Sequence, residues 1–504
     1  MAQSTACLAS LNCYARDMTH FDFPKKYLAF LGWMSLLLSV GFFGWTTYNQ
    51  THENPPFVPG NDQISFETTL PQIPERECSI EQYGALGDGV TLNTRAIQKA
   101  IESCAQQGGG TVRIPEGIWL TGPIHLRSYI ALALDENAEL RFSQNFSDYL
   151  PVVFSRYEGM ELFNYSPLIY AKDCSNIAIT GQGTLNGQGS AWWDWKIEQQ
   201  FGTEKLYRMA DENVPVEQRI FGTTKDALRP SFIQFVNCSH ILLEGFTIKN
   251  GPMWTIHPIY SSQILMHDIR VDTLGVNNDG IVIDSSSNII IDHASLDTED
   301  DAIVIKSGLD RDGWRVNRPS EHIIIRNCRV GRGNGGVVIG SEMSGDVRDV
   351  SVSDCVFDGT KRGIRIKSAR GRGGIVEKIS VENITMHHIE SEAILFDMEY
   401  ASKNSILPST DTLPIFRNIT LRNIQCTDAN TAIAMRGLQE SPLRGVVFEN
   451  IHMKARNGIK ASFLQDSRFE RITIEAKDRP FILFEQSKGV LFEGITKSGK
   501  KFTF

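Results

Sequence analysis

After residue 230 the chain repeats one pattern: a polar turn, a short β-branched strand, another turn. The strands open HILLEGFTI (240), QILMHDIRV (263), NIIIDHASL (288), HIIIRNCRV (322), DVSVSDCVF (349), KISVENITM (378), NITLRNIQC (418), GVVFENIHM (445) and RFERITIE (468), and GVLFEGI (489) closes the series. Most intervals are roughly 21 to 29 residues, a period that marks a solenoid. Five positions beyond the first apolar residue of each repeat stand Phe246, Ile269, Ala294, Cys328, Cys355, Ile384, Ile424, Ile451, Ile474 and Ile495. This column is small or apolar throughout and predicts an internal stack along a coil of parallel strands. Cys328 and Cys355 are then core fillers, neither ligands nor reactive thiols.

Upstream the pattern changes. Segment 174–185 reads as an earlier coil, and a long insertion at 186–230 carries Trp192, Trp193 and Trp195. A helix is predicted from Asn93 to Gln107, stopped by Gly108, Gly109 and Gly110. An amphipathic helix there would cover the first core layer, as the end of a solenoid requires. Tyr27 to Tyr48 is an uncharged apolar run behind Lys25 and Lys26, long enough to span a bilayer. It predicts an anchor with residues 1–26 inside and a proline-rich linker at 49–77 leading to a catalytic domain at 78–504 outside. Removal of the run as a secretory signal is the rival expectation.

Composition narrows the class. With 41% hydrophobic and 22% charged residues the 504-residue chain is a folded protein, and its 42 glycines fit many turns. The net charge of −9 gives no reason to expect nucleic acid. Between Lys306 and Lys378, however, 15 Lys/Arg face 9 Asp/Glu, a local excess of 6 positive charges suited to an acidic ligand. The nine cysteines form no regular disulfide or zinc spacing.

Three short stretches stand at comparable phase in their repeats: Asn277-Asn278-Asp279-Gly280, Asp300-Asp301 and Arg365-Ile366-Lys367, with Gly333-Asn334-Gly335 in the coil between. Equal phase makes them neighbours on one face, so three carboxylates should meet two cations. Each motif alone is an ordinary turn composition; together they suit glycoside hydrolysis. That reaction needs one carboxyl protonated for the leaving oxygen and another ionised to activate water. Crowding drives such pKa values apart.

This ordered set resembles glycoside hydrolase family 28, the polygalacturonases, whose pattern is Asn-x-Asp, Asp-Asp, Gly-His-Gly and Arg-Ile-Lys. The resemblance covers roughly residues 78–497, and stretches 250–260, 300–308, 335–345 and 362–374 look like the bacterial exo-acting branch. It implies a single-stranded right-handed parallel β-helix and inverting hydrolysis of α-1,4 bonds in polygalacturonate, without metal or cofactor. Asp300 would be the general acid, Asp279 and Asp301 would hold and deprotonate water, and Arg365 and Lys367 would bind the substrate carboxylate. The family histidine is Asn334 here, which hydrogen-bonds but does not titrate. His322 opens a repeat and reads as a turn residue. Trp254 and His257, as a sugar-stacking pair, and Glu342, as a hydroxyl partner, complete the expected binding set; Glu392 and Asp397 are weaker candidates. Loops at 186–230, 308–320 and 400–414 are placed to close the groove for attack at a chain end. The alternatives are a calcium-dependent pectate lyase, a hydrolase of rhamnogalacturonan or xylogalacturonan, and a carbohydrate-binding β-helix without activity.

Overall fold

The computed structural model describes residues 64–400, 411–497 and 500–502. The expected anchor at 27–48, the segment before it, most of the linker and residues 401–410 lie outside the described residues. Among the described residues no helix is long and apolar enough to cross a membrane.

The repeat folds as a coil of parallel strands. One face is a sheet of 12 described strands, every neighbouring pair parallel, running from Ile124–His125 to Ile482–Glu485. The other strands of each coil join a 25-stranded sheet, parallel except at its C-terminal end, where Ile495–Lys497 meets Lys500–Phe502 antiparallel. The first apolar residue of successive repeats forms an unbroken ladder: Ile177, Ile241, Ile264, Ile289, Ile323, Val350, Ile379, Ile419 and Val446. A facing ladder on the smaller sheet joins Ile256, Ile281, Ile303, Val337, Ile364 and Ile394. Branched side chains stacked at the inter-strand spacing fill the interior of the coil.

Each coil turns at a left-handed residue. Asn176, His240, Gln263, Asn288, His322, Asp349, Lys378 and Asn418 all have φ between 53° and 57°. His322 is thus a turn residue, as expected. The predicted stack also forms, with every member buried. One alignment shifts: Ile451 pairs with Ile472, not Ile474, because Ser467 takes the place of the first apolar residue in that repeat and binds the Val446 N–H through its hydroxyl. Cys328 and Cys355 are buried fillers within the stack.

The cap forms where predicted. Helix α1 (Thr94–Gln106) buries Ile97, Ala100, Ile101 and Cys104 and ends as the Gly109 N–H reaches the Cys104 carbonyl. The insertion folds as α2 (Ser190–Trp193), α3 (Trp195–Glu198) and α4 (Gln200–Asp211). Trp192 and Trp195 pack with Phe146, Tyr149 and Tyr165 in the core. Trp193 donates to the Gly251 carbonyl and lies so close to Gly275 that any Cβ there would meet the indole at 2.0 Å. An unforeseen antiparallel hairpin, Val153–Tyr157 with Met160–Asn164, stands beside the smaller sheet. A further helix, α5 (Asp310–Val316), occupies the 308–320 loop.

Candidate active site

Four strands of the smaller sheet carry the charged motifs: β1 (Ile281–Asp284), β2 (Asp301–Lys306), β3 (Gly335–Ile339) and β4 (Ile364–Lys367). Ile281 pairs with Ile303, so Asp279 and Asp301 share a phase in adjacent coils. Asp301 pairs with Gly335. Arg365 pairs with Val338, three places beyond that phase, so the cations reach back toward the aspartates from farther along the strand. Ile366 turns into the core while Arg365 and Lys367 point the other way, as period-2 alternation requires.

A cavity of about 400 Å³ opens over these strands, lined by Asp279, Asp300, Asp301, Lys306, Glu342, Lys367, Arg372 and Trp254. The insertion supplies Lys196, Gln199, Gln200, Thr203, Glu204 and Tyr207 to its wall, the hairpin supplies Glu158 and Met160, and Leu309 and Tyr400 close other sides. Residues 401–410 of the third expected loop are outside the described residues.

Electrostatics separates the carboxyls. Burial works to raise Asp301, but Lys367 Nζ at 2.7 Å and Arg365 Nη1 at 3.7 Å outweigh it and hold the carboxyl below its ordinary range. Asp279 is pushed well above that range, first by burial and then by the charge of Asp300. The two carboxyls, one coil apart, are thus driven in opposite directions. Asp300 is half-buried and meets two amides, Asn334 Nδ2 at 3.3 Å from Oδ1 and Asn277 Nδ2 at 3.4 Å from Oδ2.

The cations divide similarly. Burial opposes the charge of Lys306, but Glu342 Oε2 at 2.5 Å, with Asp279 and Asp301, keeps it protonated. The same partnership, with Arg372 and Lys367, overcomes burial and lowers Glu342 to about 2. Lys306 Nζ lies 4.8 Å from the Trp254 ring centroid. Arg365 is buried, its Nε and Nη1 have no hydrogen-bond partner, and it shares the Tyr400 ring with Lys367, each 5.1 Å from the centroid. Spare guanidinium donors beside an aspartate suit an incoming carboxylate.

His257 is the expectation that fails. It is wholly buried, with Nδ1 at 3.1 Å from both Ser231 Oγ and Gln234 Nε2 and Nε2 at 3.5 Å from Asp284. Its ring packs edge-on to Trp254, behind the cleft. Beyond it, Arg156 of the hairpin pairs with Asp284 at 2.9 Å, both fully buried, which fixes the hairpin against the sheet. Glu392 meets Arg362 and Asp397 meets Arg436. Lys306, Arg372 and Glu158 were not singled out, and Asn277 entered only as part of its motif. Lys306 had a readable signal, since it stands in phase with Lys367 two coils on. Glu158 and Arg372 come from a hairpin turn and a loop outside the repeat.

The described residues contain one group with metal-ligand chemistry, His267, Asp292 and His293. It lies on the larger sheet, and Asp292 there already pairs with Arg326 at 3.0 Å.

Residues 217–496 match the model of Glycosyl hydrolases family 28, and residues 78–295 match that of Rhamnogalacturonase A/epimerase, pectate lyase-like proteins. The chain is 30% identical to a probable polygalacturonase of Vitis vinifera over 75% of this chain and 74% of that one. It is 28% identical to the exo-poly-alpha-D-galacturonosidase of Dickeya chrysanthemi, over 82% and 73%. Among solved structures, a hyperthermoactive exopolygalacturonase from Thermotoga maritima superposes with a TM-score of 0.76 at 37% identity, over 86% of this chain and 95% of that one.

The Lys306–Glu342 pair generates a stability prediction. The folded-state pKa of Glu342, about 2, lies below its ordinary 4.5. Its stabilising contribution is therefore complete above 4.5 and is lost as pH falls toward 2. Urea midpoints of the wild type should fall over that window, and the Lys306→Met/Glu342→Gln double variant should lose part of the slope. Lys306→Met alone strands a buried carboxylate and should cost about 3–5 kcal/mol near neutral pH.

Proposed function

The chain belongs to glycosyl hydrolase family 28, and on that footing we propose how its cleft acts as a polygalacturonase, hydrolysing α-1,4 bonds between galacturonate units of pectin. The observation that carries the proposal is the meeting of three aspartates at one cavity: Asp301 drawn below the ordinary carboxylate range by Lys367 and Arg365, Asp279 pushed above it by burial, and a half-buried Asp300 between two amides.

Asp300 is the general acid: of the three it is the least buried, it faces the cavity, and its two carboxyl oxygens are met by amides. It gives its proton to the glycosidic oxygen as the bond to the anomeric carbon breaks. Asp301 takes a proton from the water that attacks the opposite face of that carbon, so the configuration inverts. Asp279 holds the water. After turnover Asp300 is ionised and Asp301 protonated, and one proton transfer resets the site. The spare donors of Arg365, with Lys367, take the substrate carboxylate. Trp254 lies in the wall as a sugar surface, and Glu342 lies within the cleft as a hydroxyl partner.

Action is at a chain end. The helical insertion, the hairpin and Leu309 stand around one cavity where a bare coil would leave an open groove. The cleft brings Lys306, Lys367 and Arg372 to one place, which suits an acidic polymer. From the apolar run at 27–48 we also place the catalytic unit outside the cytoplasm, attached to a membrane. Recovery of the full chain in the membrane fraction, and its release on deletion of residues 1–48, checks this.

Asp300→Asn should lower kcat on trigalacturonate by about 10²–10⁴-fold while calorimetric affinity for the trimer is retained. Proton NMR of the wild-type reaction should show the β anomer first. Viscosity of long polygalacturonate should fall slowly relative to product release; a rapid early drop would exclude end attack. Since Asp301 is held low by Lys367, the acid limb of kcat/KM should lie below the ordinary carboxylate pKa of about 3.9. Lys367→Met should move that limb upward by about 1–3 units.

A further inference from the structure

The two amides on Asp300 raise a question of direction. A side-chain amide carries a donor at one end and an acceptor at the other, and a half-turn exchanges them. Turned the wrong way, Asn334 or Asn277 would set a carbonyl oxygen against the carboxyl. Each amide has a second neighbour that decides the matter. Arg362 Nη1 lies 3.1 Å from Asn334 Oδ1, and Arg229 Nη2 lies 2.8 Å from Asn277 Oδ1. A guanidinium has five donors and no acceptor, so only the amide oxygen can face it, and the NH₂ group must face Asp300.

Both arginines are themselves fixed. Arg362 Nε donates to Glu392 at 2.9 Å. Arg229 is fully buried and donates to the carbonyls of Pro252 at 3.1 Å and Val276 at 2.6 Å, and to Gln199 Oε1 of the insertion at 3.1 Å. The Asn334 N–H also donates to the Asp300 carbonyl at 2.9 Å, tying the two coils at that point.

We propose that Arg362 and Arg229 are positioning residues that aim Asp300 by locking Asn334 and Asn277 with their NH₂ groups toward its two carboxyl oxygens. The inference rests on the reading of Asp300 as the acid. Two oriented donors hold the plane of the carboxyl, so its proton is presented to the leaving oxygen. Asn334, at the family histidine's place, does this without a titrating ring, and its direction is set by a group that does not deprotonate.

Leaving-group dependence separates this role from a merely structural one. Trigalacturonate needs its leaving oxygen protonated, whereas 4-nitrophenyl α-digalacturonide releases a nitrophenolate that does not. Arg362→Met should lower kcat on trigalacturonate about tenfold, a part of the 10²–10⁴ that an acid supplies, with KM changed less than about threefold. Turnover of the nitrophenyl substrate should stay within about threefold, and Arg362→Lys, still donor-only, should recover most of the loss. Glu392→Gln, which loosens Arg362 without emptying its place, should show the same selective loss in smaller degree and serves if Arg362→Met does not fold. Equal losses on both substrates, or no loss on trigalacturonate, would overturn the inference. Asp300→Asn is the control: if it slows both substrates alike, the acid assignment itself falls and the inference with it.

Discussion

The parallel hydrogen-bond ladder of the smaller sheet is the constraint on which the site depends. Register there fixes which residues share a phase, and phase decides which side chains meet. Asp279 and Asp301 approach because Ile281 and Ile303 are paired, and Asn334 reaches Asp300 because Gly335 is paired with Asp301. A slip of one residue in either pairing would turn a carboxylate into the isoleucine core and an isoleucine into the cleft. The unbroken ladders of Ile and Val resist such a slip, so the core and the chemistry are specified by the same pairing.

Burial makes the charges on that face interdependent. Arg156 with Asp284, Lys306 with Glu342 and Lys367 with Asp301 are each buried or nearly so. In a medium of low polarizability each charge needs its partner, and each partner moves the next group along. Asp301 is drawn below its ordinary range because two cations face it, and Asp279 is pushed above its own because burial and the neighbouring Asp300 outweigh the lysines.

Much of this was legible in the sequence, because a repeat gives periodicity something to act on. The internal stack, the turn at His322 and the meeting of Asp279 with Asp300 and Asp301 all come from one period and its phase, and the capping helix from the glycine stop behind it and the open end it must cover. What was not legible came from outside the period. The hairpin that carries Arg156 and Glu158 is a local antiparallel pair whose destination no repeat encodes. His257 alternates outward on its strand as a binding residue would, but Asp284, Ser231 and Gln234 cover it, and covering is a tertiary fact. Ile474 was misaligned because Ser467 replaced an apolar residue and hid the true start of its repeat. Arg365 and Lys367 were expected at comparable phase with the aspartates and stand three and five places farther on, a difference that long side chains bridge.

The hairpin held by Arg156 and Asp284 has one more implication. The coils and the walls of the cleft share a buried seam: Tyr157, Met160 and Leu162 of the hairpin and Leu206 and Ala210 of the insertion pack on Val282, Val304 and Val338 of the strands, in addition to the Arg156–Asp284 pair and the Trp193 contact with Gly251. Spine and enclosure are thus one inheritance: a change in a wall is felt at the reacting groups, and refitting the cleft for whole chains, chain ends or short fragments requires the coils beneath to change with it.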